Sequence, residues 1–376
     1  MPPTVPAAAV PWLLPYASIF LLAWRRPLLA SIPPAAGRMV SVIVPARNES
    51  GNIGTLLESL LRTSYAPCEI LVVDDRSTDD TADAVARVAA RDPRVRLVRG
   101  EALPAAWYGK PWACLQGYRE ARGDLLLFTD ADTRHAPALL GHAAGAAADG
   151  GGMVTVVTGQ DCVSFWERVV MPHFWVPLGL RYHPVLVNRA RTARDVIANG
   201  QFVMVTRDAY EAAGTHAAVR DAVAEDLALA QAFHRQGQRV RMWWADDLIR
   251  TRMYTGLATL VEGWSKNLFL GGRASFPDQP ILRLLAPLIL MLGHLFWLAP
   301  VGAVAVTGGA PWAWWAAGLA AGFWTLIAYG MKIPLWYGLT WPLGAAVALG
   351  IVVRSTWRGA RRVEWKGRVY GTGSTG

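Results

Sequence analysis

Short β-rich runs alternate with helical stretches between Met39 and Val157, and this alternation constrains the fold more than any other feature of the chain. The pattern is typical of an α/β domain with a largely parallel sheet, in which ligands bind at the carboxyl ends of the strands. The predicted strands are Met39–Val44, Glu69–Val73, Val95–Val98, Leu125–Thr129 and Met153–Val157, and the predicted helices are Ile53–Leu61, Asp79–Ala90, Trp112–Arg122 and Pro137–Ala148.

The fourth run, Leu125–Thr129, leads directly into Asp130 and Asp132. In an extended segment this spacing places both side chains on the same side of the chain. Carboxylates there suit a hard divalent cation such as Mg²⁺ or Mn²⁺. A strand end followed by a helix cap at Asp132 or Thr133 explains the same residues, so the pair alone does not decide between the two interpretations.

Two further acidic pairs lie at predicted element ends. The second strand ends in Asp74 and Asp75, which helix capping does not explain and which could accept hydrogen bonds from a base or a ribose. Glu225 and Asp226 begin a strongly periodic helix. Acids in a first turn favour the helix dipole, but a carboxylate there could also act as a general base.

Weaker signals lie in predicted loops and before the last apolar runs. A lysine ahead of a helix could meet a phosphate, although most exposed lysines have no such role. A polar turn into another strand is either a sugar-facing loop or only a turn. Cations and aromatics that precede a membrane segment could bind a pyrophosphate and stack on an acceptor. They could equally serve only to anchor the chain at the membrane interface. The lysine is Lys110, and the polar turn carries Asn199 and Gln201. The cations and aromatics before the membrane segment are Arg252, Tyr254, Trp264 and Lys266.

Apolar runs near both ends of the chain are long enough to cross a membrane. With a cytosolic catalytic domain, three spans after it would place the basic tail outside, against the positive-inside rule. One run is therefore expected to be re-entrant or interfacial. A further aromatic stretch, Phe165–Val187, is either amphipathic at the membrane surface or a buried helix pair. The apolar runs are 8–24, Leu284–Val306, Ala310–Met331 and Ile333–Val353.

The net charge of +9 is compatible with nucleic acid or with anionic lipid as a partner. The location of the charge favours lipid, because basic residues follow the last apolar run and no basic patch with interleaved aromatics occurs earlier. A nucleic-acid partner is therefore not expected. Three distant cysteines lack metal-ligand spacing and indicate neither zinc nor a disulfide framework. The basic residues of the tail are Arg354, Arg358, Arg361, Arg362, Lys366 and Arg368.

Together these features predict a multi-pass protein of the cell membrane with a cytoplasmic catalytic domain. The predicted organisation is a membrane anchor and linker (1–38), an α/β catalytic domain (39–278), a transmembrane region (279–353) and a basic cytoplasmic tail (354–376).

The order of the motifs resembles the inverting glycosyltransferases of family two, which have the GT-A fold. The resemblance covers about residues 39–272. Some segments are similar to a membrane-anchored subgroup that includes carotenoid- and hopanoid-associated glycosyltransferases; these are 109–114, 198–202, 252–254, 263–267 and the tail 365–370. The family motifs are Val44–Glu49, Asp74-Asp75-x-Ser77-x-Asp79-x-Thr81, Thr129-Asp130-Ala131-Asp132 and Glu225-Asp226.

This resemblance implies a role for each matching residue. Asp226 is the implied base with Glu225 beside it, and Asp132 with Asp130 is implied to hold Mg²⁺ or Mn²⁺ and the ribose. The implied donor-binding residues are Pro45, Ala46, Glu49, Asp74, Asp75, Lys110 and Asp130; the implied acceptor or phosphate-binding residues are Asn199, Gln201, Arg252, Tyr254, Trp264 and Lys266.

The resemblance implies transfer of one sugar from a nucleotide-diphosphate sugar, with a UDP-sugar expected, to a lipid acceptor. Carotenoid, hopanoid, polyprenyl phosphate and glycolipid acceptors all fit. No Gln-x-x-Arg-Trp motif follows Asp226, which disfavours polymer synthesis. The alternatives are a processive polysaccharide synthase or exporter, and a non-catalytic membrane scaffold with the same fold.

Overall fold

The computed structural model describes residues 5–23, 25–359, 362–365 and 368–371. Within these residues the strands are β1 (Val40–Ala46), β2 (Cys68–Asp74), β3 (Val95–Arg99), β4 (Leu125–Phe128), β5 (Thr133–His135), β6 (Met153–Val157), β7 (Gly159–Gln160), β8 (Val203–Thr206), β9 (Val240–Trp244), β10 (Ile249–Thr251), β11 (Arg362–Trp365) and β12 (Arg368–Gly371).

The helices of the same residues are α1 (Leu14–Ala23), α2 (Ile53–Leu61), α3 (Thr81–Ala89), α4 (Gly109–Glu120), α5 (Leu139–Ala148), α6 (Phe165–Val170), α7 (Pro172–Arg181), α8 (Pro184–Val187), α9 (Arg207–Ala212), α10 (Glu225–Arg235), α11 (Leu257–Ala274), α12 (Pro280–Val306), α13 (Pro311–Gly330) and α14 (Trp341–Arg358).

The chain forms two compact units. The α/β unit comprises Arg26–Asp161, Pro184–Met253 and Arg362–Gly376; the apolar-helix unit comprises Met1–Arg25, Cys162–His183 and Tyr254–Arg361. These limits differ from the domain organisation predicted from the sequence, because two segments of the predicted catalytic domain, 162–183 and 254–278, group with the apolar helices.

A seven-stranded sheet in the order β3-β2-β1-β4-β8-β6-β9 forms the centre of the α/β unit. β1 pairs in parallel with β2 and β4, while β8 is antiparallel to both of its neighbours. In the register of β1, Ala46 lies opposite Asp74 and Ile43 lies opposite Phe128. The ends of β1, β2 and β4 therefore meet at one edge of the sheet, as predicted for a largely parallel α/β sheet.

Continuous apolar strands and amphipathic helices explain why this sheet forms. β1 and β4 are buried along their whole length, as expected for parallel strands covered on both faces. α2 buries Ile53, Leu56, Leu57 and Leu60 against the core, and this i, i+3, i+4, i+7 spacing places all four on one helix face. All five predicted strands and four predicted helices of this region are present, with small shifts at their ends.

One local prediction was wrong, and one of two open interpretations is excluded. Lys110 was expected ahead of a helix, but it lies in the first turn of α4, where Pro111 is tolerated because a first-turn N–H has no helical partner. Asp132 and Thr133 were considered as a helix cap, but the chain continues into β5, which pairs with β10. The next helix begins only at Leu139.

In the apolar-helix unit, two helical segments of the described residues are long and apolar enough to cross a membrane. They are Pro280–Val306 and Leu335–Arg358, the second of which joins a short 3-10 helix to α14. Two other predicted apolar runs form α13 and a shorter apolar helix at Ala7–Phe20. Neither of these helices is one of the two segments that are long and apolar enough to cross a membrane. In the predicted basic tail, Arg361, Lys366 and Gly367 lie outside the described residues.

Candidate functional site

The loops that follow β1 and β2 are held together by hydrogen bonds. The Arg47 guanidinium donates to the backbone carbonyl of Asp75 (2.6 Å), and the backbone N–H of Glu49 donates to the Thr81 hydroxyl (2.8 Å). Slight burial raises the pKa of Asp79, but hydrogen bonds from Thr81 and Ser50 outweigh it and lower this pKa to about 2. Asp79 therefore stays ionised and fixes the loops.

Lys110 forms ion pairs with two acids from distant parts of the chain. Its Nζ lies 2.8 Å from Oδ1 of Asp130, at the end of β4, and 2.7 Å from Oε1 of Glu225, in the first turn of α10. Burial alone lowers the pKa of Lys110, but the charges of Asp130, Glu225 and Asp226 outweigh it and raise this pKa well above its usual value. Lys110 is therefore a permanent cation between carboxylates.

Asp226 is oriented by two backbone groups. The N–H of Gly200 donates to its Oδ2 (2.9 Å), and the N–H of Leu227 donates to its Oδ1 (2.8 Å). Each carboxylate oxygen keeps a second lone pair that can accept a proton or a hydrogen bond. Burial and the charge of Glu225 raise the pKa of Asp226 to about 6, against the opposing charge of Lys110. Such a carboxylate is ionised at neutral pH and is a suitable proton acceptor.

Burial also acts on the other two acids of this cluster. It raises the pKa of Asp130, although Lys110 opposes this effect. Burial raises the pKa of Glu225 too, but Lys110 outweighs it and the net shift of that pKa is downward. The same lysine therefore keeps Glu225 ionised beside a carboxylate, Asp226, whose pKa is higher.

The turn at Asn199–Gln201 carries the N–H that orients Asp226. The Asn199 side chain donates to the carbonyl of Val156 (3.1 Å), and the Gln201 carbonyl accepts from the Thr129 hydroxyl (2.7 Å). These bonds tie the turn to the end of β4 and to β6. The Asn199 side chain and the backbone of Gln201 thus fix the turn, and the predicted role of both residues towards an acceptor stays a prediction.

An open cleft of about 300 Å³, including the solvent space at its mouth, lies over these groups within the α/β unit. Its position at the carboxyl ends of β1 and β4 is the expected ligand site of an α/β sheet. The lining residues are Pro45, Lys110, Cys114, Phe128, Thr129, Asp130, Gly200, Val203, His216, Glu225, Asp226 and Leu229.

Comparison with known families matches this part of the chain. A family model described as Glycosyl transferase family 2 matches residues 41–214, which include β1 and its loop, the Asp74-Asp75 strand end and Asp130-Ala131-Asp132. Residues 41–214 belong to glycosyl transferase family 2. The predicted family is therefore confirmed, and Asp226 with Glu225 follows the family 2 region in α10.

Curated relatives add a carotenoid connection. The chain is 28% identical over 246 residues to the 4,4'-diaponeurosporenoate glycosyltransferase of Staphylococcus aureus (strain USA300). The aligned region covers 64% of this chain and 63% of the relative. The protein of the same name from strain MRSA252 is 29% identical over 262 residues, covering 68% and 66%. The match thus spans 63 to 66% of the length of these relatives.

A solved structure supports the GT-A fold. The mannosyltransferase PcManGT from Pyrobaculum calidifontis, in complex with GDP-Man and Mn²⁺, is 23% identical and has a TM-score of 0.55. The likeness covers 93% of this chain and 98% of that chain. The fold of the α/β unit is therefore the GT-A fold that the sequence predicted.

The two aspartates after β4 differ in their surroundings. Asp130 pairs with Lys110, whereas the backbone carbonyl of Asp132 accepts a hydrogen bond from the Thr251 hydroxyl (3.2 Å) that fixes the chain at β5. The described residues contain no group of three or more His, Cys, Asp or Glu arranged to hold a metal. One or two carboxylates suffice for Mg²⁺ when substrate phosphates supply the other ligands, so the donor set fits a substrate-bound cation.

The other predicted site residues lie in three places. Pro45 lines the cleft, and Ala46 with Glu49 follows at the end of β1. Asp74 and Asp75 are buried at the end of β2, where Oδ1 of Asp74 accepts from the Ser77 N–H (3.2 Å). Arg252 follows β10 in the α/β unit, whereas Tyr254, Trp264 and Lys266 belong to the apolar-helix unit.

Sequence reasoning missed two residues that line the cleft. His216 lines the cleft and is fixed by the Tyr210 hydroxyl, 2.6 Å from its Nδ1; burial lowers the pKa of His216 to about 3, so its ring stays neutral. Gly200 was recognised only as part of a turn. A Cβ at Gly200 would lie 2.8 Å from Nζ of Lys110 and 3.1 Å from Oδ2 of Asp226.

Replacing Gly200 by Ala is expected to lower kcat by about tenfold to a hundredfold, because small displacements of catalytic groups have effects of this size. The added Cβ must displace Lys110 or Asp226. A steady-state sugar-transfer assay measures the effect. Gly51→Ala is the matched control, since a Cβ there meets nothing within 4 Å. Equal activity of the two variants would contradict the prediction.

The pKa of Asp226 predicts the acid limb of the pH profile. Below about pH 6 the carboxylate is protonated and cannot accept a proton, so kcat/KM is expected to fall about tenfold per pH unit there and to be flat just above it. A pH series of kcat/KM measures this limb. A profile that stays flat down to pH 5 would show that no group with this pKa takes part.

Proposed function

We propose that this protein is a membrane-bound inverting glycosyltransferase that moves one sugar from a nucleotide-diphosphate sugar to a lipid acceptor. The observation that carries the proposal is the carboxylate of Asp226, held by two backbone N–H groups beside the Lys110 ion pairs in a cleft at the strand ends. Membership of family 2 supplies the reaction class.

In this proposal Asp226 removes the proton from the acceptor hydroxyl as its oxygen attacks the anomeric carbon from the face opposite the leaving diphosphate. Inversion follows from this single displacement. The two backbone N–H groups orient the carboxylate, and Lys110 keeps it ionised at neutral pH. Pro45, Ala46, Glu49, Asp74 and Asp75 are proposed to bind the nucleotide, because they occupy the strand ends at the same sheet edge.

Asp132, with Asp130, is proposed to hold Mg²⁺ or Mn²⁺ together with the donor diphosphate. A cation bound there supplies positive charge that stabilises the leaving group. The structural likeness to a protein in complex with GDP-Man and Mn²⁺ supports this assignment.

For Asp132→Asn we expect Mn²⁺ to lose most of its effect on donor affinity, since the amide oxygen is a neutral and weaker ligand. Calorimetric titration of the donor with and without Mn²⁺ measures this effect. Asp246→Asn, a partly exposed acid that pairs with Arg26 away from the cleft, is the control. An unchanged Mn²⁺ effect in Asp132→Asn would count against the metal role.

A lipid as the class of acceptor is supported by the curated relatives, whose name refers to a carotenoid acid, and by two helical segments long enough to cross a membrane. The proposal of a hydroxyl as the attacking group rests on the placement of Asp226 and not on these relatives. Arg252, Tyr254, Trp264 and Lys266 are proposed to contact the acceptor or its phosphate. The Trp264 ring stacks on Phe174 with 4.4 Å between ring centroids, so this aromatic surface is ordered within the apolar-helix unit. The protein is proposed to reside in the cell membrane with its α/β unit in the cytoplasm.

The experiment is a donor panel of UDP- and GDP-sugars with the purified full-length protein and total membrane lipid of the source organism. Mass spectrometry identifies the product, and Asp226→Asn is the inactive control. One new lipid carrying a single sugar is the expected result. Long polymers would indicate a processive synthase, and absence of donor binding in calorimetry would indicate a non-catalytic scaffold.

A further inference from the structure

His135 is a buried histidine of β5 that does not line the cleft. Its backbone N–H donates to the Ser59 hydroxyl (3.1 Å), and β5 pairs with β10, so the position of the residue is fixed. Nε2 of the ring lies 3.1 Å from the hydroxyl oxygen of Thr129 and 3.1 Å from that of Thr133. One ring nitrogen therefore contacts the two threonines that flank the acidic motif after β4.

The surrounding hydrogen bonds decide which ring nitrogen of His135 carries the proton. The Thr129 hydroxyl donates to the Gln201 carbonyl (2.7 Å), and the Thr133 hydroxyl donates to the Asp130 carbonyl (2.8 Å). Each hydroxyl has a single hydrogen, so Nε2 is the donor to both hydroxyl oxygens. Nδ1 then carries no hydrogen, which agrees with its burial without a hydrogen-bond partner among the described residues. Burial lowers the pKa of His135 to about 3, so the ring stays neutral.

A chain of hydrogen bonds continues from the Thr129 hydroxyl to the carboxylate of Asp226. The carbonyl that Thr129 holds belongs to the same peptide group as the N–H of Phe202. This N–H donates to the carbonyl of Asn199 (2.9 Å), which shares its peptide group with the N–H of Gly200. The Gly200 N–H donates to Oδ2 of Asp226 (2.9 Å). Peptide groups are planar and rigid, so a rotation of the first carbonyl is passed on to the last N–H.

Every donor in this chain faces towards Asp226. In a low-dielectric interior, hydrogen bonds aligned in this way polarise and strengthen one another. Burial and the charge of Glu225 raise the pKa of Asp226, and the bond from Gly200 is among the contacts that lower it. The chain of hydrogen bonds therefore affects both the orientation of the Asp226 carboxylate and its affinity for a proton.

We propose that His135 is a positioning residue for sugar transfer, which holds the N–H of Gly200 on the carboxylate of Asp226. It acts through Thr129 and the turn that carries Gly200. Through Thr133 the same ring fixes the backbone of the first acid after β4. The inference deepens the proposed function and rests on the role of Asp226 as the general base.

Thr129→Val tests the chain of hydrogen bonds, because valine has a similar shape and lacks the hydroxyl. We expect kcat to fall about tenfold to a hundredfold, since small displacements of catalytic groups have effects of this size. The acid limb of kcat/KM should move upwards from about pH 6 by about one pH unit, because a weakened hydrogen bond to the carboxylate raises its pKa. Thr133→Val is the matched control, since it removes the other hydroxyl on the same ring and should leave the acid limb in place.

Two substitutions test His135 itself. His135→Leu removes the ring N–H and should reproduce the profile of Thr129→Val. His135→Gln retains a side-chain N–H and should restore most of kcat and an acid limb near pH 6. The proposal is overturned by equal profiles of the two His135 variants, by an unmoved limb in Thr129→Val, or by an equal movement in Thr133→Val. Thr129→Val carries the test where His135→Leu does not fold.

Hydrogen exchange of residues 199–202, measured on the full chain without substrate, separates this inference from the proposed function. Thr129→Val should speed exchange of the Gly200 and Phe202 amides about tenfold, and Thr133→Val should not. Faster exchange in Thr129→Val, together with a wild type that transfers no sugar, would uphold the chain of hydrogen bonds and refute the proposed reaction. Unchanged exchange would overturn the inference even where sugar transfer is confirmed.

Discussion

Asp226→Asn is expected to lower kcat by about 10²–10⁴-fold while the affinity for the nucleotide-sugar donor changes little, because general base catalysis contributes an effect of this size. An amide has the shape of the carboxylate but cannot accept the acceptor proton. It also places an NH₂ group against the backbone N–H of Gly200 or of Leu227, so one of the two orienting hydrogen bonds is lost. The associated loss of unfolding free energy should be about 1 kcal/mol.

Two measurements on the same preparation separate these effects. Calorimetry gives the donor affinity, and single-turnover transfer gives the rate of the chemical step. Asp221→Asn is the matched control, since this exposed acid lies a few residues before α10 and does not line the cleft. The low-pH limb of kcat/KM should disappear in Asp226→Asn and persist in the control.

The turnover of Asp226→Asn also indicates which chemical group of the acceptor attacks the sugar. A hydroxyl must lose its proton during attack, whereas a carboxylate or phosphate is already ionised at neutral pH and needs no base. Near-normal turnover of Asp226→Asn would therefore remove the base role and favour an ionised acceptor. A collapse of turnover favours a hydroxyl on the lipid.

Much of the α/β unit could be predicted because its signals are local. β1, β2 and β4 are continuous apolar runs, and acids follow β2 and β4 at the positions where parallel strands end. Strand order, however, depends on pairings that no local pattern shows. Asp132 looked like a helix cap because β5 is three residues long and pairs with β10, more than 100 residues later in the chain.

The acidic residues of the site could be predicted from the sequence, but the groups that contact them could not. Asp130, Asp132, Glu225 and Asp226 stand in recognisable motifs, but the sequence gives no distance between them. Lys110 appeared as a lone lysine since its two partners come from β4 and α10. Gly200 and His216 carry no motif of their own. Only the folded chain shows that Gly200 leaves room for Lys110 and Asp226 and that His216 is buried beside them.

Lys110→Met is expected to lower the unfolding free energy by about 2–3 kcal/mol at pH 8, because it leaves Asp130 and Glu225 without their counterion. This value lies below that of a fully buried pair, since the side chains of Lys110, Asp130 and Glu225 are 22%, 29% and 10% exposed. Lys332→Met, at an exposed lysine of the apolar-helix unit, is the control and should have little effect.

The pH dependence of this loss follows from the pKa shifts. Glu225 has a lowered pKa, so its contribution to stability is present above its unfolded pKa and is lost as the pH falls through the folded one. Lys110 has a raised pKa, so its contribution is present below its unfolded pKa and is lost only at high pH. The difference in Tm between wild type and Lys110→Met should therefore be large at pH 8 and should shrink only as the pH falls below about 4.5, the unfolded pKa of Glu225.

The pH profile of activity should also show the loss of Lys110, because Lys110 affects the pKa of Asp226. Lys110 lowers the pKa of Asp226 against burial and Glu225, so Lys110→Met should move the acid limb of kcat/KM from about pH 6 to higher pH. Adding Glu225→Gln removes the neighbouring negative charge and should return the limb towards its original position. Since Lys110 and Glu225 touch, the two substitutions should be non-additive in both Tm and the pH profile. Additive effects, or an acid limb that stays near pH 6 in Lys110→Met, would show that the lysine only fills space between the acids and does not tune the base.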